Sequence, residues 1–207
     1  MTEDLWPLVH AERAALADDL SRLDDQRWGT PSLCSGLTVR EVLAHLTASA
    51  SLTPVRWLAG VIRCRFDFDK QVALQIARHL GDSPGDTFAR FRGVLTSRTK
   101  PPLPVIALLG ETVVHGEDIR RPLGVSRAYP PEVLARVAGY YAGTDLVVVA
   151  KGRINGLRLV ATDGAFTSGD GPLVSGSTLA LIMAMTGRGA YCDELDGDGV
   201  ALLRGRC

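Results

Sequence analysis

The sequence predicts an α+β protein: a helical bundle over residues 1–151, followed by a small α+β unit over residues 152–207. Three observations predict it. Up to residue 151, apolar residues recur at three- and four-residue spacing, as they do on the buried face of a helix. The breaks between these segments are Pro, Gly and helix-capping residues rather than tight hairpin turns. From Asn155 the pattern changes: Leu157-Arg158-Leu159-Val160-Ala161-Thr162 alternates like a strand, and Asp163-Gly164 reads as a hairpin turn. So short a unit buries little surface by itself and is expected to dock on the helices.

The bulk properties narrow the function. The 207 residues hold as many Lys+Arg as Asp+Glu, 23 of each, so no net charge recruits nucleic acid or an anionic membrane. No run of eighteen apolar residues offers a membrane span. The N-terminus is acidic and amphipathic, without the basic-then-apolar layout of a signal peptide. Cys34, Cys64, Cys192 and Cys207 form no CxxC pair and match no zinc-finger spacing. Together these predict a cytoplasmic protein with four reduced thiols.

The elements follow in order. Leu5, Val9, Leu16, Leu20 and Leu23 mark a first helix, on which His10 is read as a surface residue. A Gly-, Pro- and Ser-rich loop spans residues 28–37. Thr38-Val39-Arg40-Glu41 is a capping box that opens the second helix, with Val39, Val42, Leu43 and Leu46 as its apolar stripe. His45 stands at the edge of that stripe. Residues 51–65 continue or follow this helix, with Trp57 expected in the core. Asp67 or Asp69 caps a third helix that Gly81 ends, with His79 near its C-terminus, where it complements the dipole. Ser83-Pro84 begins a helix expected to reach Ser97, with Phe88, Phe91 and Leu95 inward. Lys100-Pro101-Pro102-Leu103-Pro104 is too rich in Pro for a helix. After the long helix that begins near Val105, Pro130-Pro131-Glu132 starts another, expected to end by about Lys151. In the tail, Ser175 or Ser177 caps a short helix to Thr186, Gly187 stops it, and residues 200–203 read as a final strand.

The most informative stretch is residues 110–121. Read as one helix, Glu111 and His115 lie four apart on one face, with Asp118 three further along the same stripe. Ile106, Leu109 and Val113 cover the far side, and Leu108, Val114 and Ile119 flank the polar stripe. A helix apolar nearly all round is buried. A carboxylate buried beside a His needs a partner, and either a metal ion or a Glu–His hydrogen bond supplies one. With His45 from the second helix the set becomes two His and one carboxylate. That set suits Zn²⁺ with open coordination positions, the arrangement of catalytic sites. Glu41 lies four residues before His45, but its capping role already accounts for it.

These residues carry a resemblance to the mycothiol-dependent maleylpyruvate isomerase family of actinobacteria, within the wider group of DinB-like helical bundles. The first carrier is Trp28 with Pro31-Ser32-Leu33-Cys34-Ser35-Gly36-Leu37-Thr38-Val39-Arg40-Glu41-Val42-Leu43-Ala44-His45-Leu46. The second is Glu111-Thr112-Val113-Val114-His115-Gly116-Glu117-Asp118. Gly171-Pro172, Thr186-Gly187-Arg188 and Leu195-Asp196-Gly197-Asp198-Gly199 make the tail similar to the family's sterol-carrier-like domain. Leu37 stands where the family usually has Trp. The resemblance implies a DinB-like four-helix-type bundle and a divalent metal, usually taken as zinc, on His45, Glu111 and His115. It implies mycothiol or a similar small thiol as cosubstrate, a small electrophile as substrate, and room for a homodimer. A metal-held thiolate that adds to a conjugated alkene, allows rotation and is expelled gives cis–trans isomerisation; loss of a leaving group instead gives an S-transferase. Asp118 is a candidate to orient His115, and Arg188 to bind a carboxylate. The rival reading is a non-catalytic metal-binding or ligand-carrier protein of the same fold.

Overall fold

A computed structural model describes residues 4–207; the sequence reading of a leaderless start rests partly on residues 1–3, which lie outside it. The chain divides into two compact units between Ser126 and Arg127. The first is helical: α1 (Trp6–Leu20), a 3₁₀ turn (Asp25–Gly29), α2 (Val39–Ser49), α3 (Pro54–Arg63), α4 (Phe68–Leu80), α5 (Pro84–Arg92) and α6 (Val105–Arg120).

Helix α2 is the centre of this unit, packed against α4, α5 and α6, while α1 closes on α5 and α6. Its predicted stripe is buried: Val39, Val42 and Leu43 are fully enclosed and Leu46 nearly so. They join Leu16, Leu20, Phe91 and Ile119 in one apolar cluster. The predicted capping box is present. Thr38 N–H donates to Glu41 Oε2 at 2.8 Å, and Glu41 N–H donates to Thr38 Oγ1 at 3.3 Å. Such a cap is worth about 1 kcal/mol and fixes where α2 begins, hence which way His45 faces.

Asp67 caps α4, and Gly81, at φ +73°, ends it. Ser83 and Asp86 form a second capping box on α5. That helix stops at Arg92 rather than near Ser97: Gly93 breaks it, and Val94 and Ser97 continue in turns. Trp57 is half-buried instead of core, its ring stacked on Phe68 with centroids 6.4 Å apart. His10 is half-buried, not a surface residue; its ring lies 5.7 Å from that of Trp6.

The second unit holds α7 (Pro131–Gly143), β1 (Arg158–Ala161), β2 (Thr167–Ser168), β3 (Leu173–Gly176), α8 (Thr178–Met185), a 3₁₀ turn (Gly189–Glu194) and α9 (Val200–Arg204). The sheet order is β2-β1-β3, antiparallel to β2 and parallel to β3. Leu159 pairs with Val174, and both are fully buried under α8. Ser177 caps α8, whose residues Leu181, Ile182, Met183, Ala184 and Met185 are all fully enclosed.

Three sequence expectations change here. The boundary falls at residue 126, not 151, because Val133, Leu134, Val137, Ala138 and Tyr141 of α7 bury their face within the second unit, where α7 packs on α8. That helix also ends at Gly143. Residues 200–203 form α9, not a strand: Leu203 N–H donates to Gly199 O, four residues back.

No disulfide joins cysteines among the described residues. Burial, and then the charge and hydrogen bonding of the neighbouring Cys207 thiol, push the Cys192 thiol up to about 11. Between the ordinary thiol value of 9.0 and about 11, the native chain therefore holds a proton that the unfolded chain has lost. Stability contributed by this group is complete below pH 9 and falls as pH rises through that window. Timed alkylation at pH 8 should modify exposed Cys207 quickly and Cys192 last. Equal rates for the two would contradict the assignment.

Candidate functional site

Helix α6 follows the Pro-rich segment directly, with Pro104 as its N-cap. Ala107, Leu108, Leu109, Val113, Val114 and Ile119 are buried on it, so its orientation is fixed by packing on α1 and α2. That orientation turns Glu111 and His115, one helical turn apart, toward the α2 face that carries His45. His45 Nε2 lies 3.2 Å from Glu111 Oε1, and the His45 and His115 rings meet edge-on with centroids 4.9 Å apart. One donor atom from each of His45, Glu111 and His115 lies within 4.8 Å of the others. The three predicted residues therefore converge.

Their surroundings hold each in place. Ser49, one turn after His45, donates its hydroxyl to Glu111 Oε2 at 2.6 Å. This leaves Oε1 facing His45. His115 Nδ1 bonds to Asp118 Oδ2 at 2.8 Å. Asp118 is fully buried, whereas the side chains of His45, Glu111 and His115 keep 22%, 22% and 17% exposure. The carboxylate thus fixes one ring nitrogen and with it the orientation of the His115 ring. Cys34 is close to this pair as well, with Cys34, His115 and Asp118 forming a second group of donors within 4.8 Å. The loop carrying Cys34 is tied to α6 by Leu33 N–H, which donates to Asp118 O at 3.1 Å.

Burial raises the Glu111 carboxyl, but the hydrogen bond and charge of His45, the charge of His115 and the Ser49 hydroxyl together outweigh it. The net shift is below the ordinary carboxylate value, so Glu111 is ionised at neutral pH. An ionised oxygen flanked by two imidazoles can hold a divalent metal. Donors about 2.1 Å from a tetrahedral ion lie roughly 3.4 Å apart, close to the His45–Glu111 separation. The half-open exposure leaves the remaining directions accessible to a small ligand.

A cavity of about 140 Å³ opens on the His45 and Glu111 side, walled by Leu52, Trp57, Phe68 and Leu103. Sequence reasoning missed Ser49, whose signal was its position four residues after His45, and missed the aromatic wall. Arg188 belongs to the second unit, where its Nη1 donates to Thr186 O at 2.8 Å.

Asp118→Asn should keep the fold, because the side chain is the same size, yet weaken metal binding by about 10–100-fold. Competition against a chromogenic chelator reads this directly; unchanged affinity would remove Asp118 from its orienting role.

The geometry can be set beside known proteins. No curated protein matches the sequence. Among solved structures, a crystal structure of the mycothiol-dependent maleylpyruvate isomerase superposes with a TM-score of 0.57 at 16% identity. That of a histidine-to-alanine mutant superposes with 0.62 at 18%. Each alignment covers 93% of this chain and 91% of the other. At such identities the likeness establishes the fold, an α+β chain of helical bundle plus small sheet. The family model for the mycothiol maleylpyruvate isomerase N-terminal domain matches residues 9–102, which include Cys34, His45 and Ser49; Glu111 and His115 follow. Over residues 9–102, then, the chain matches the mycothiol maleylpyruvate isomerase N-terminal domain model, the family its sequence resembles.

Proposed function

We propose that this protein is a metal-dependent enzyme that uses a mycothiol-type thiol to isomerise, or to transfer the thiol to, a small electrophile. The observation that carries the reading is the convergence of His45, Glu111 and His115 within 4.8 Å beside a small cavity. The match to the mycothiol maleylpyruvate isomerase domain and the likeness to mycothiol-dependent maleylpyruvate isomerase structures support the thiol and the isomerisation.

Two imidazoles and one carboxylate favour zinc among common divalent ions. Bound there, it would supply a Lewis acid that lowers the pKa of an incoming thiol toward neutrality. The chain's own residues do the rest. Glu111 stays ionised, Ser49 fixes its orientation, and Asp118 sets the His115 tautomer. Leu52, Trp57, Phe68 and Leu103 shield one side of the cleft from water, which strengthens every charge interaction inside it. A reduced small thiol as cosubstrate fits a cytoplasmic setting, and no helix among the described residues is long and apolar enough to cross a membrane.

The test combines elemental analysis with calorimetric titration of mycothiol into metal-loaded and metal-stripped protein, followed by turnover of maleylpyruvate. The expected result is one metal-dependent thiol site and isomerisation in the loaded form alone. Equal thiol affinity in both forms would overturn metal activation. Metal-dependent thiol binding with no turnover of maleylpyruvate or of any S-acceptor electrophile would favour the carrier reading.

A further inference from the structure

The cavity beside His45 and Glu111 is small. Its volume of about 140 Å³ falls below the roughly 300–1,000 Å³ of ordinary small-molecule sites. A second cavity of about 430 Å³ lies against it, and Ala48, Leu52 and Gln75 belong to the walls of both. This neighbour has a different chemistry. Arg56 and Arg63 of α3 and Arg78 and His79 of α4 line it, and no Asp or Glu does. Among the described residues no carboxylate pairs with Arg56, Arg63 or Arg78.

Three unpaired guanidiniums around one concavity repel each other and raise the local potential for anions. Each is a planar fork matched to the two oxygens of a carboxylate or phosphate. The dividing wall is itself polar. Gln75 keeps 9% exposure, and among the described residues its side-chain amide makes no hydrogen bond, so it has both a donor and an acceptor to offer a ligand. His79 is oriented by its Nδ1, 2.9 Å from Gln75 O. The small residues Ala59 and Gly60 leave the floor open.

We infer that the cavity of Arg56, Arg63 and Arg78 is an oxyanion subsite. It takes a carboxylate or phosphate group at one end of a ligand whose other end lies beside His45 and Glu111. The role of that other end rests on the function proposed above; the anion site itself does not.

Calorimetry with inorganic phosphate and with succinate, in low-chloride buffer, tests it on the full chain. Wild type should bind one or both, and the tighter probe identifies the group the subsite takes. The double variant Arg63→Ala/Arg78→Ala should lose at least about tenfold in affinity, because exposed forks are removed without disturbing the core. Circular dichroism and thermal melting confirm that this variant folds. His115→Ala should bind the same anion within about twofold of wild type, which separates this result from any failure of the metal reading. Equal binding by wild type and the double variant would overturn the proposal. So would loss of binding in His115→Ala alone, since the anion would then sit among the metal donors. Absence of binding by either probe below about 10 mM, weaker than any useful ligand site, would overturn it as well.

Discussion

Replacing His115 with Ala should abolish both metal retention and metal-dependent thiol binding while the first unit stays folded. The ring is a donor at the edge of the cleft, with its side chain still 17% exposed, and it is not among the apolar residues that carry the packing of α6. Leu109, Val113 and Ile119, which do, are untouched and fully buried. Two remaining protein donors hold a divalent ion too weakly to survive purification, so metal content should fall from about one per chain to near zero. Elemental analysis with a thermal melt checks both halves of the claim. Full metal content in the variant would show that the ion sits elsewhere or nowhere. Collapse of the fold would show that His115 is structural.

Phe91→Ala should be the most costly single change in the first unit. Phe91 is the largest apolar side chain with no exposure there, and it lies in the cluster where α1, α2, α5 and α6 meet. Truncating such a ring leaves a cavity that the four helices cannot all close, at a cost of about 3–5 kcal/mol. The melting temperature should drop by roughly 10–20 °C. Because α2 and α6 share this cluster, metal affinity should weaken with stability. A loss under about 1 kcal/mol would mean that the neighbouring Phe88 and Val94 collapse into the space.

What the sequence revealed and what it hid divide along a physical line. Local rules were legible. The Thr38–Glu41 box depends on four consecutive residues, and the Glu111–His115 stripe on helical spacing alone, so both could be read without knowing the neighbours. His45 could be placed beside them because its helix had a visible start and a visible apolar stripe. Choices between neighbours were not legible. The apolar face of α7 looks like that of any bundle helix; nothing in Val133, Leu134 or Val137 says that it packs on α8, so the boundary was misplaced. Residues 200–203 are four apolar residues in a row, a pattern that strand and helix share. The deciding fact, Leu203 buried and Leu202 46% exposed, is tertiary. Trp57 was assigned to the core on hydrophobicity, but a large ring also suits a cavity wall, where its stacking on Phe68 puts it. Ser49 escaped because a lone Ser on a helix has many duties, and its bond to Glu111 appears after α2 and α6 are aligned.

The capping of α2 has a further consequence for charge. Glu41 sits one turn before His45, at the spacing that would add a second carboxylate to the cleft. Its oxygen is engaged instead by the Thr38 backbone and hydroxyl at 2.8 and 2.7 Å. The donor set of His45, Glu111 and His115 therefore contributes one formal negative charge rather than two. A dication seated there would keep a single positive charge over its direct donors, and a monoanion in the open position completes neutrality within that donor set. A chain that spent Glu41 on ligation in place of its helix start would present a neutral centre with far less preference for anions over uncharged molecules. The helix start thus helps set the valence of what the cleft prefers to hold.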